Sequence, residues 1–345
     1  MKILVFSDCH WSTNSSIVRS RGQKFSTRLD FLINSMNWLN ELATKENCEE
    51  MICAGDFMDR STLNDEEITA LQKISWNNLP CYFLCGNHES SVADLRYSSI
   101  KAIESPNRHI ISEANFSQGF GDTQIHFLPY VLETDKQELK SYLFKDNSCT
   151  KHIIISHNDI AGINYGGFES TLGFSIKEIE ENCDLFLNGH LHNSEWVSDK
   201  ILNVGSFSGH NFTNDSSRYK YGVWILDTDT LKIDFFENPY SLNFYKLEIK
   251  TAENLEQINN VKQNAVLSIK TNKKMLFEIK DFLQELGSKI IESRVVLEQN
   301  FEADSDDIAI EELQGTDHIQ RLIQFCKEKI VGSDLLDSEL AEICK

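Results

Sequence analysis

The sequence predicts an α/β protein: a layered αββα sandwich, followed by a small appended α/β unit and a C-terminal helical tail. Short apolar runs alternate with helical patterns through about residue 190, which is typical of a layered α/β domain. Strand patterns then follow one another directly over residues 201–237, which predicts a second sheet packed on the first. After Pro239 the pattern changes again. We therefore place a domain boundary near residue 240.

The first domain, residues 1–240, is predicted to contain six buried strands and one long helix. Apolar residues recur at helical spacing between Leu29 and Leu42, which predicts an amphipathic helix between the first two strands. The predicted buried strands are Ile3–Phe6, Met51–Cys53, Tyr82–Leu84, Ile125–Leu128, Ile153–Ile155 and Leu185–Leu187. The later strands are predicted from the runs "ILNVGS", "YGVWILD" and "KIDFFE".

Two smaller segments follow the boundary. Residues 241–300 contain the runs "NAVLSIKT", "MLFEIKDFLQEL" and "IIESRVVLEQ", which predict a strand, a helix and a strand. Residues 301–345 begin with "EADSDDIAIEE", a predicted acidic linker. An apolar helical stripe comes next, formed by Ile319, Leu322, Ile323, Cys326 and Ile330. This helix either closes the protein's own core or docks into a partner's groove, and the sequence leaves both interpretations open.

The formal net charge of −20 restricts the function, because a protein that binds polyanions usually has a basic balance. The charge is uneven: residues 241–300 hold nine Lys/Arg and eight Asp/Glu, whereas residues 301–345 hold four against twelve. Residues 9–29 contain no acid and four cations, namely Arg19, Arg21, Lys24 and Arg28. Any attraction for nucleic acid is therefore local, and this window is either a solvated loop or a phosphate contact.

The cysteines and the apolar runs indicate the compartment. Nine cysteines occur without a C-x-x-C pair, and an odd number without an export signal indicates reduced thiols. Cys9 is expected to face the core. No apolar run approaches the roughly 18 to 20 residues of a membrane span. We therefore expect no membrane contact and a cytoplasmic protein of a bacterial or phage-infected cell.

Five of the six predicted strands run directly into residues that can bind a metal ion, in "SDCHW", "AGDFMDR", "CGNHES", "SHND" and "GHLH". Sites in α/β sheets form beyond the carboxyl ends of the strands, so these side chains are expected to converge. They are Asp8, His10, Asp56, Asp59, Asn87, His88, His157, His190 and His192. In an extended segment residues i and i+2 point to the same side, so His190 and His192 are expected to face one small volume.

This set contains three carboxylates, one carboxamide and five imidazoles. A single tetrahedral ion needs fewer ligands, but the set suits two ions about 3.5–4 Å apart. Oxygen and imidazole ligands without thiolate favour manganese, with iron or zinc as alternatives. Each motif alone is a weak signal, because a lone D-x-H or G-N-H often arises by chance. The complete series at successive strand ends predicts a site for two divalent ions.

The series D-x-H, G-D-x-x-D-R, G-N-H-E, a later His and G-H-x-H resembles the motifs of calcineurin-like metallophosphoesterases over residues 1 to about 240. The resemblance implies a metal-dependent phosphoesterase in which Asp56 bridges two ions. His88 would be the general acid, oriented by Asp59. The remaining ligands would divide between the ions as Asp8, His10 and His192 on one, and Asn87, His157 and His190 on the other.

Two branches of this family differ in their substrates. "GDFMDR" and "GNHES" resemble the protein Ser/Thr phosphatases, in which the arginine at the position of Arg60 grips a phosphate. Trp11 after His10 and the segment "SHND" depart from that pattern, and "GHLH" resembles the SbcD-type nucleases instead. A nuclease is therefore the preferred interpretation, and a protein or small-molecule phosphatase is the alternative. A non-enzymatic scaffold is disfavoured because every ligand position is filled.

The SbcD-type resemblance implies DNA as substrate and an SMC-like coiled-coil ATPase as partner, in DNA repair or recombination, with a homodimer inside a heterotetramer. Residues 241–300 would cap the site and contact DNA, and the tail would dock on the ATPase. The short chain resembles the compact nuclease subunits of tailed phages. The candidate DNA contacts are Arg19, Arg21, Lys24 and Arg60. The histidines without ligand context, expected to be structural or surface residues, are His126, His152, His210 and His318.

Overall fold

The computed structural model describes residues 1–17, 25–89, 98–114, 116–146, 148–165, 168–213 and 216–297. Three of the four cations predicted to lie beside the first motif, Arg19, Arg21 and Lys24, lie outside the described residues. The predicted linker and tail, residues 301–345, also lie outside them.

The long helix predicted after the first strand is confirmed and begins at a cap. The side chain of Ser26 accepts a hydrogen bond from the backbone N–H of Leu29. Asp30 in the first turn and Lys45 in the last suit the helix dipole. The α-helices of the described residues are α1 Thr27–Lys45, α2 Asp65–Leu71, α3 Ile176–Asn182, α4 Glu256–Asn259 and α5 Leu276–Leu286.

The six predicted buried strands are also confirmed, within one or two residues at each end. In chain order the strands are β1 Lys2–Phe6, β2 Glu50–Cys53, β3 Cys81–Leu84, β4 Arg108–Ile111, β5 Phe116–Phe120, β6 Thr123–Leu128, β7 Lys151–Ser156, β8 Ile160–Ala161, β9 Asn164–Tyr165, β10 Phe168–Glu169, β11 Phe174–Ser175, β12 Leu185–Asn188, β13 Glu195–Trp196, β14 Ile201–Asn203, β15 Gly222–Asp227, β16 Ile233–Glu237, β17 Asn243–Ile249, β18 Ala265–Thr271 and β19 Ile290–Leu297.

Two six-stranded sheets form the main body. The first has the order β16-β15-β1-β2-β3-β4, and the second has the order β13-β14-β12-β7-β6-β5. Strands β1 to β4 are parallel, as are β6, β7, β12 and β14. The carboxyl ends of the parallel strands therefore lie together at one edge of each sheet, where the predicted ligands follow β1, β2, β3, β7 and β12.

The prediction that residues 201–237 form the second sheet holds for the first of these strands and is wrong for the other two. Strand β15 pairs antiparallel with β1, with Lys2 opposite Asp227, and β16 extends the same first sheet. Strand β14 joins the second sheet beside β12. An apolar run shows that a segment is a buried strand, but it does not identify the neighbour with which that strand pairs.

The layered αββα arrangement itself is confirmed by how β1 distributes its side chains. Ile3 and Val5 pack into the core between the two sheets, whereas Leu4 and Phe6 pack into the core beneath α1. The second sheet does the same: Ile155 belongs to the core between the sheets. Ile154, one residue earlier, belongs to the outer core that includes Ile179 of α3. Because neighbouring residues of a strand face opposite sides, both sheets are covered on both faces.

The appended unit is a parallel sheet of order β17-β18-β19 with α5 between its second and third strands. Strand β17 was missed by the sequence analysis, whereas β18, α5 and β19 match their predicted segments. Ile269 and Ile279 belong to the core of this unit. Phe244 and Val266 pack with Phe212 in a separate cluster. The appended sheet therefore contacts the segment that follows β14.

Two further observations concern the whole described chain. Among the described residues, no helix is long and apolar enough to span a membrane. The described cysteines are free, and Cys9 is buried in the core beneath α1, as predicted.

The core between the sheets yields a stability prediction. Ile155→Ala removes a fully buried side chain, so we expect it to lower the free energy of unfolding by about 2–5 kcal/mol. Ile68 is 43% exposed, and Ile68→Ala should change that free energy by about 0.5 kcal/mol or less. Urea unfolding of both variants measures the difference. Equal effects would contradict the assignment of Ile155 to this core.

Candidate metal centre

The predicted ligands lie on turns whose backbone is held in an unusual conformation. Asp8, His10, Asp56 and His190 have φ angles of +50°, +48°, +48° and +71°, in the left-handed region that residues other than glycine seldom adopt. The extended geometry predicted for the His190 segment is therefore wrong. Backbone hydrogen bonds hold the first two turns together: Asp8 N–H donates to Gly55 O (3.1 Å) and His10 N–H to Asp56 O (3.0 Å).

A first group of ligands consists of Asp8, His10 and His192. The Nε2 atoms of the two histidines lie 3.0 Å apart. The Oδ1 atom of Asp8 lies 3.8 Å from His10 Nε2 and 3.7 Å from His192 Nε2. Asp8 is fully buried, and within the described residues neither of its carboxylate oxygens has a hydrogen-bond partner. A buried carboxylate facing two imidazole nitrogens fits a divalent cation, because burial of an unpaired charge is costly.

A second group consists of Asp56, His157 and His190, joined by Asn87. His157 Nε2 lies 3.2 Å from Asp56 Oδ2 and 3.2 Å from Asn87 Oδ1. His190 Nδ1 lies 3.0 Å from Asn87 Oδ1. The Nδ1–H of His157 donates to the carbonyl of Ala54 at 2.7 Å, which leaves Nε2 as the nitrogen that faces the group.

Asp56 belongs to the second group and lies near His10 of the first. It also forms a third set with His10 and His88. The backbone N–H of His88 donates to Asp56 Oδ1 at 3.0 Å. Burial opposes ionisation of Asp56, but His157 and the other histidines outweigh it and hold its pKa well below the usual range. For His157, burial acts to lower the pKa, and Asp56 outweighs it and raises the pKa to about 9.

His88 is the exposed member of the site, with 41% of its side chain accessible. Its Nδ1–H donates to the main-chain oxygen of Asp59 at 2.8 Å. The carboxylate of Asp59 lies farther away, at 4.0 Å from that nitrogen. The same carboxylate lies 3.4 Å from His10 Nδ1 and 3.8 Å from His210 Nε2. The main-chain oxygen of Asp59 therefore holds the ring of His88 more closely than the carboxylate does. That the Asp59 side chain orients His88 stays a prediction.

Two residues beside the ligands were missed by the sequence analysis. His210 was set aside as lacking ligand context, yet its ring centre lies 5.2 Å from that of His10. Burial lowers the pKa of His210 to about 2, and the charge of Arg28 adds to this. Asp159, whose Oδ1 lies 3.3 Å from His190 Nε2, follows His157 by two residues. That spacing in "SHND" was an available signal, whereas nothing near His210 in sequence pointed to the site.

Two buried ionisable side chains hold the ligand turns in place. Arg28 is 1% exposed, and its guanidinium donates to the carbonyls of Cys9, His10 and Gly209 at 3.2, 3.0 and 3.0 Å. Glu89 accepts hydrogen bonds from the N–H groups of Met58 and Gly86 at 2.8 and 2.7 Å. Arg28, one of the cations of the predicted basic window, therefore supports the turn that carries the first ligands from inside the protein.

Arg60, the described member of the predicted DNA contacts, is turned toward Glu67. Its Nη2 atom donates to both carboxylate oxygens of Glu67, at 2.7 and 2.6 Å. Glu67 is fully buried and also accepts a hydrogen bond from the N–H of Thr13. The Arg60 side chain stays 37% exposed beside this ion pair, and a contact between Arg60 and DNA stays a prediction.

The family assignment follows from the sequence of this same region. Residues 1–194 match the family model described as calcineurin-like phosphoesterase. The chain belongs to this family. The prediction of a calcineurin-like metallophosphoesterase is thus confirmed, and the protein is a member of a hydrolase family.

Comparison with individual proteins gives more distant similarities. A protein of Escherichia phage T5 named "Probable exonuclease subunit 1" is 26% identical over 248 residues, which are 69% of this chain and 69% of that protein. A solved structure from Thermus thermophilus has a TM-score of 0.39 at 12% identity, covering 68% of this chain and 98% of that one. A metallophosphoesterase from Sphaerobacter thermophilus has a TM-score of 0.30 at 13% identity, covering 75% and 93%.

Gly86 provides a test of the ligand role of Asp56. A Cβ atom at Gly86 would lie 2.1 Å from Asp56 Oδ1, so Gly86→Ala must displace that carboxylate. We expect Mn²⁺ affinity to fall about tenfold or more. Gly119→Ala is the control, because a Cβ there meets nothing within 4 Å among the described residues. Isothermal titration with Mn²⁺ measures both variants, and unchanged affinity in Gly86→Ala would contradict a ligand role for Asp56.

Proposed function

We propose that this protein is the nuclease subunit of a DNA repair or recombination complex, which hydrolyses phosphodiester bonds with two divalent ions. The observation that carries the proposal is the pair of ligand groups that are linked by a third set, which contains Asp56 of the second group and His10 of the first. The name of the phage T5 relative supports DNA as the substrate and a second subunit as partner. Manganese is the favoured metal, with iron or zinc as alternatives, because the ligands combine carboxylate, amide and imidazole.

In this proposal the described side chains divide the binding of the ions. Asp56 would serve both ions, and each group would add its own ligands. These are Asp8, His10 and His192 for one ion, and Asn87, His157 and His190 for the other. Two such ions supply Lewis acidity for activation of water and for the charge that develops on the phosphate. The carbonyl of Ala54 keeps His157 in the tautomer whose Nε2 is free to bind.

His88 is the proposed general acid. Its Nδ1–H is engaged with the main-chain oxygen of Asp59, so the Nε2 atom is the one available to substrate. As an imidazolium, His88 can give its Nε2 proton to the departing alkoxide. Exposure of this ring, unlike that of the buried His10 and His157, supports a role at the substrate and not at the ions.

DNA affinity is proposed to come mainly from the complex and only in part from this chain. The net charge of −20 opposes binding of a polyanion. Two bound ions would add positive charge at the site itself. The proposed partner, an SMC-like coiled-coil ATPase holding a homodimer of this chain in a heterotetramer, would supply most of the nonspecific contacts with phosphate.

The function is tested by assaying the purified protein with Mn²⁺ on linear duplex DNA, single-stranded DNA and a phosphoprotein in parallel. We expect cleavage of DNA, stimulated by the ATPase partner and ATP, and no turnover of the phosphoprotein. Phosphoprotein turnover without DNA cleavage, even with the partner present, would replace the nuclease proposal by the phosphatase alternative.

His88→Ala separates catalysis from metal binding. We expect DNA cleavage to fall on the order of 100-fold or more, while the number of bound Mn²⁺ ions stays the same. His109→Ala is the matched control, because His109 is exposed and stacks on Tyr82. Metal content by mass spectrometry and initial cleavage rates measure the two effects. Loss of metal from His88→Ala would show that this imidazole is a ligand.

Deletion of residues 313–345 tests the proposed docking tail. We expect a folded protein with intact Mn²⁺ binding that no longer co-purifies with the ATPase. A helix packed on its own domain would instead bury four or five aliphatic side chains, worth about 1.5–3 kcal/mol each. The melting temperature and a pull-down with the partner distinguish the two. A large fall in melting temperature with partner binding retained would refute docking.

A further inference from the structure

We propose that Asp59 and Asp159 are positioning residues, each of which orients one histidine in a different ligand group and thereby sets the affinity of one metal site. This inference rests on the proposed two-ion function and assigns the control of each ion to a separate carboxylate. Asp59 Oδ1 lies 3.4 Å from His10 Nδ1. Asp159 Oδ1 lies 3.3 Å from His190 Nε2.

In both histidines the carboxylate faces the ring nitrogen that points away from the ligand group. His10 uses Nε2 toward the first group, where it lies 3.0 Å from His192 Nε2. His190 uses Nδ1 toward the second group, where it lies 3.0 Å from Asn87 Oδ1. A carboxylate behind an imidazole holds the proton on the rear nitrogen, which leaves a lone pair on the front nitrogen and makes it a stronger ligand.

The contact behind His10 is the less obvious of the two. His10 is buried, and among the described residues its Nδ1 has no hydrogen-bond partner. The carboxylate of Asp59 at 3.4 Å is therefore the acceptor toward which this ring can turn. His210 Nε2 lies 3.8 Å from the same Oδ1 atom. The Oδ1 atom of Asp59 is thus within 4 Å of two imidazoles.

The contact between Asp159 and His190 is supported by a backbone hydrogen bond of Asp159. The main-chain oxygen of Asp159 accepts a hydrogen bond from the N–H of Phe174 at 3.1 Å. A Cβ atom at Gly173 would lie 1.8 Å from that oxygen, so the two segments approach as closely as glycine permits. The side chains of Asp159 and His190 are both partly exposed, which places this pair nearer to solvent than Asp59 and His10.

This role for Asp59 differs from orientation of His88, and the geometry separates the two. The main-chain oxygen of Asp59, at 2.8 Å, holds His88 Nδ1, whereas the carboxylate is 4.0 Å away. Asp59→Asn keeps the main-chain oxygen and removes only the carboxylate charge. The variant should therefore act on His10 and leave the ring of His88 in place.

The test measures Mn²⁺ binding of Asp59→Asn and Asp159→Asn by isothermal titration. Each variant should weaken one ion about 10- to 100-fold and leave the other unchanged. The ions are told apart by adding each change to His192→Ala, which damages the first group, and to Asn87→Ala, which damages the second. In His192→Ala the remaining ion should respond to Asp159→Asn and not to Asp59→Asn. In Asn87→Ala the order should reverse.

The control is Asp234→Asn, because Asp234 is exposed and pairs with Lys232 on the surface. It should leave both affinities unchanged. Equal weakening of both ions by either positioning variant would overturn the inference. Unchanged Mn²⁺ affinity in Asp59→Asn, together with slower cleavage and a shifted pH profile of cleavage, would also overturn it. That result would indicate that the Asp59 carboxylate orients His88.

A second measurement needs no substitution and remains decisive if a variant does not fold. Long-range ¹H–¹⁵N NMR of the Zn²⁺-loaded protein reports which nitrogen of each imidazole carries the proton. We expect the proton on Nδ1 of His10 and on Nε2 of His190. The opposite tautomer in either ring, or fewer than two ions bound by the unsubstituted protein, would refute the inference. Turnover of a phosphoprotein and not DNA, with these metal results intact, would refute only the proposed function.

Discussion

The fold depends on how two buried carboxylates at the junction of the sheets are neutralised. Asp8 and Asp56 lie at the ends of β1 and β2 and are almost fully buried. Burial of an unpaired carboxylate costs on the order of several kcal/mol. Imidazole nitrogens face both carboxylates. A protonated His157 can offset the charge of Asp56, whereas neither carboxylate oxygen of Asp8 has a hydrogen-bond partner among the described residues. A bound cation satisfies the carboxylate and the imidazoles together.

Each ligand group takes side chains from both sheets, so metal binding and the packing of the sheets are linked. Asp8 and His10 follow a strand of the first sheet, and His192 follows a strand of the second. Asn87 and Asp56 come from the first sheet, and His157 and His190 from the second. A cation in either group therefore connects the layers at the edge where the apolar core between them ends. Binding should stabilise the folded state, because the ligands are not assembled in the unfolded chain.

Much of this site could be predicted from sequence, because its signals are local. Apolar runs identified the strands, and polar residues at strand ends identified Asp8, Asp56 and His157. The pairing of β15 with β1 could not be predicted, because it joins segments more than 200 residues apart. The turn conformation at His190 was missed because the i, i+2 rule assumes an extended chain. His210 was missed because its relation to Asp59 exists only in three dimensions.

The orientation of the basic side chains decides where this chain can contact DNA. The sequence places Arg28 in a basic window and Arg60 in a motif that binds phosphate. From the sequence alone, both residues are candidates for contacts with DNA phosphates. In the fold Arg28 is buried against three carbonyls and Arg60 donates to Glu67. Arg28 therefore cannot neutralise a phosphate without breaking contacts that support the first ligand turn, whereas Arg60 pairs with Glu67 through Nη2 and keeps 37% of its side chain exposed. Because nonspecific affinity scales with the phosphates that a protein neutralises, the buried Arg28 adds nothing to it, and the net charge of −20 opposes it. This favours an arrangement in which the chain carries out the hydrolysis and its proposed partner provides most of the DNA binding.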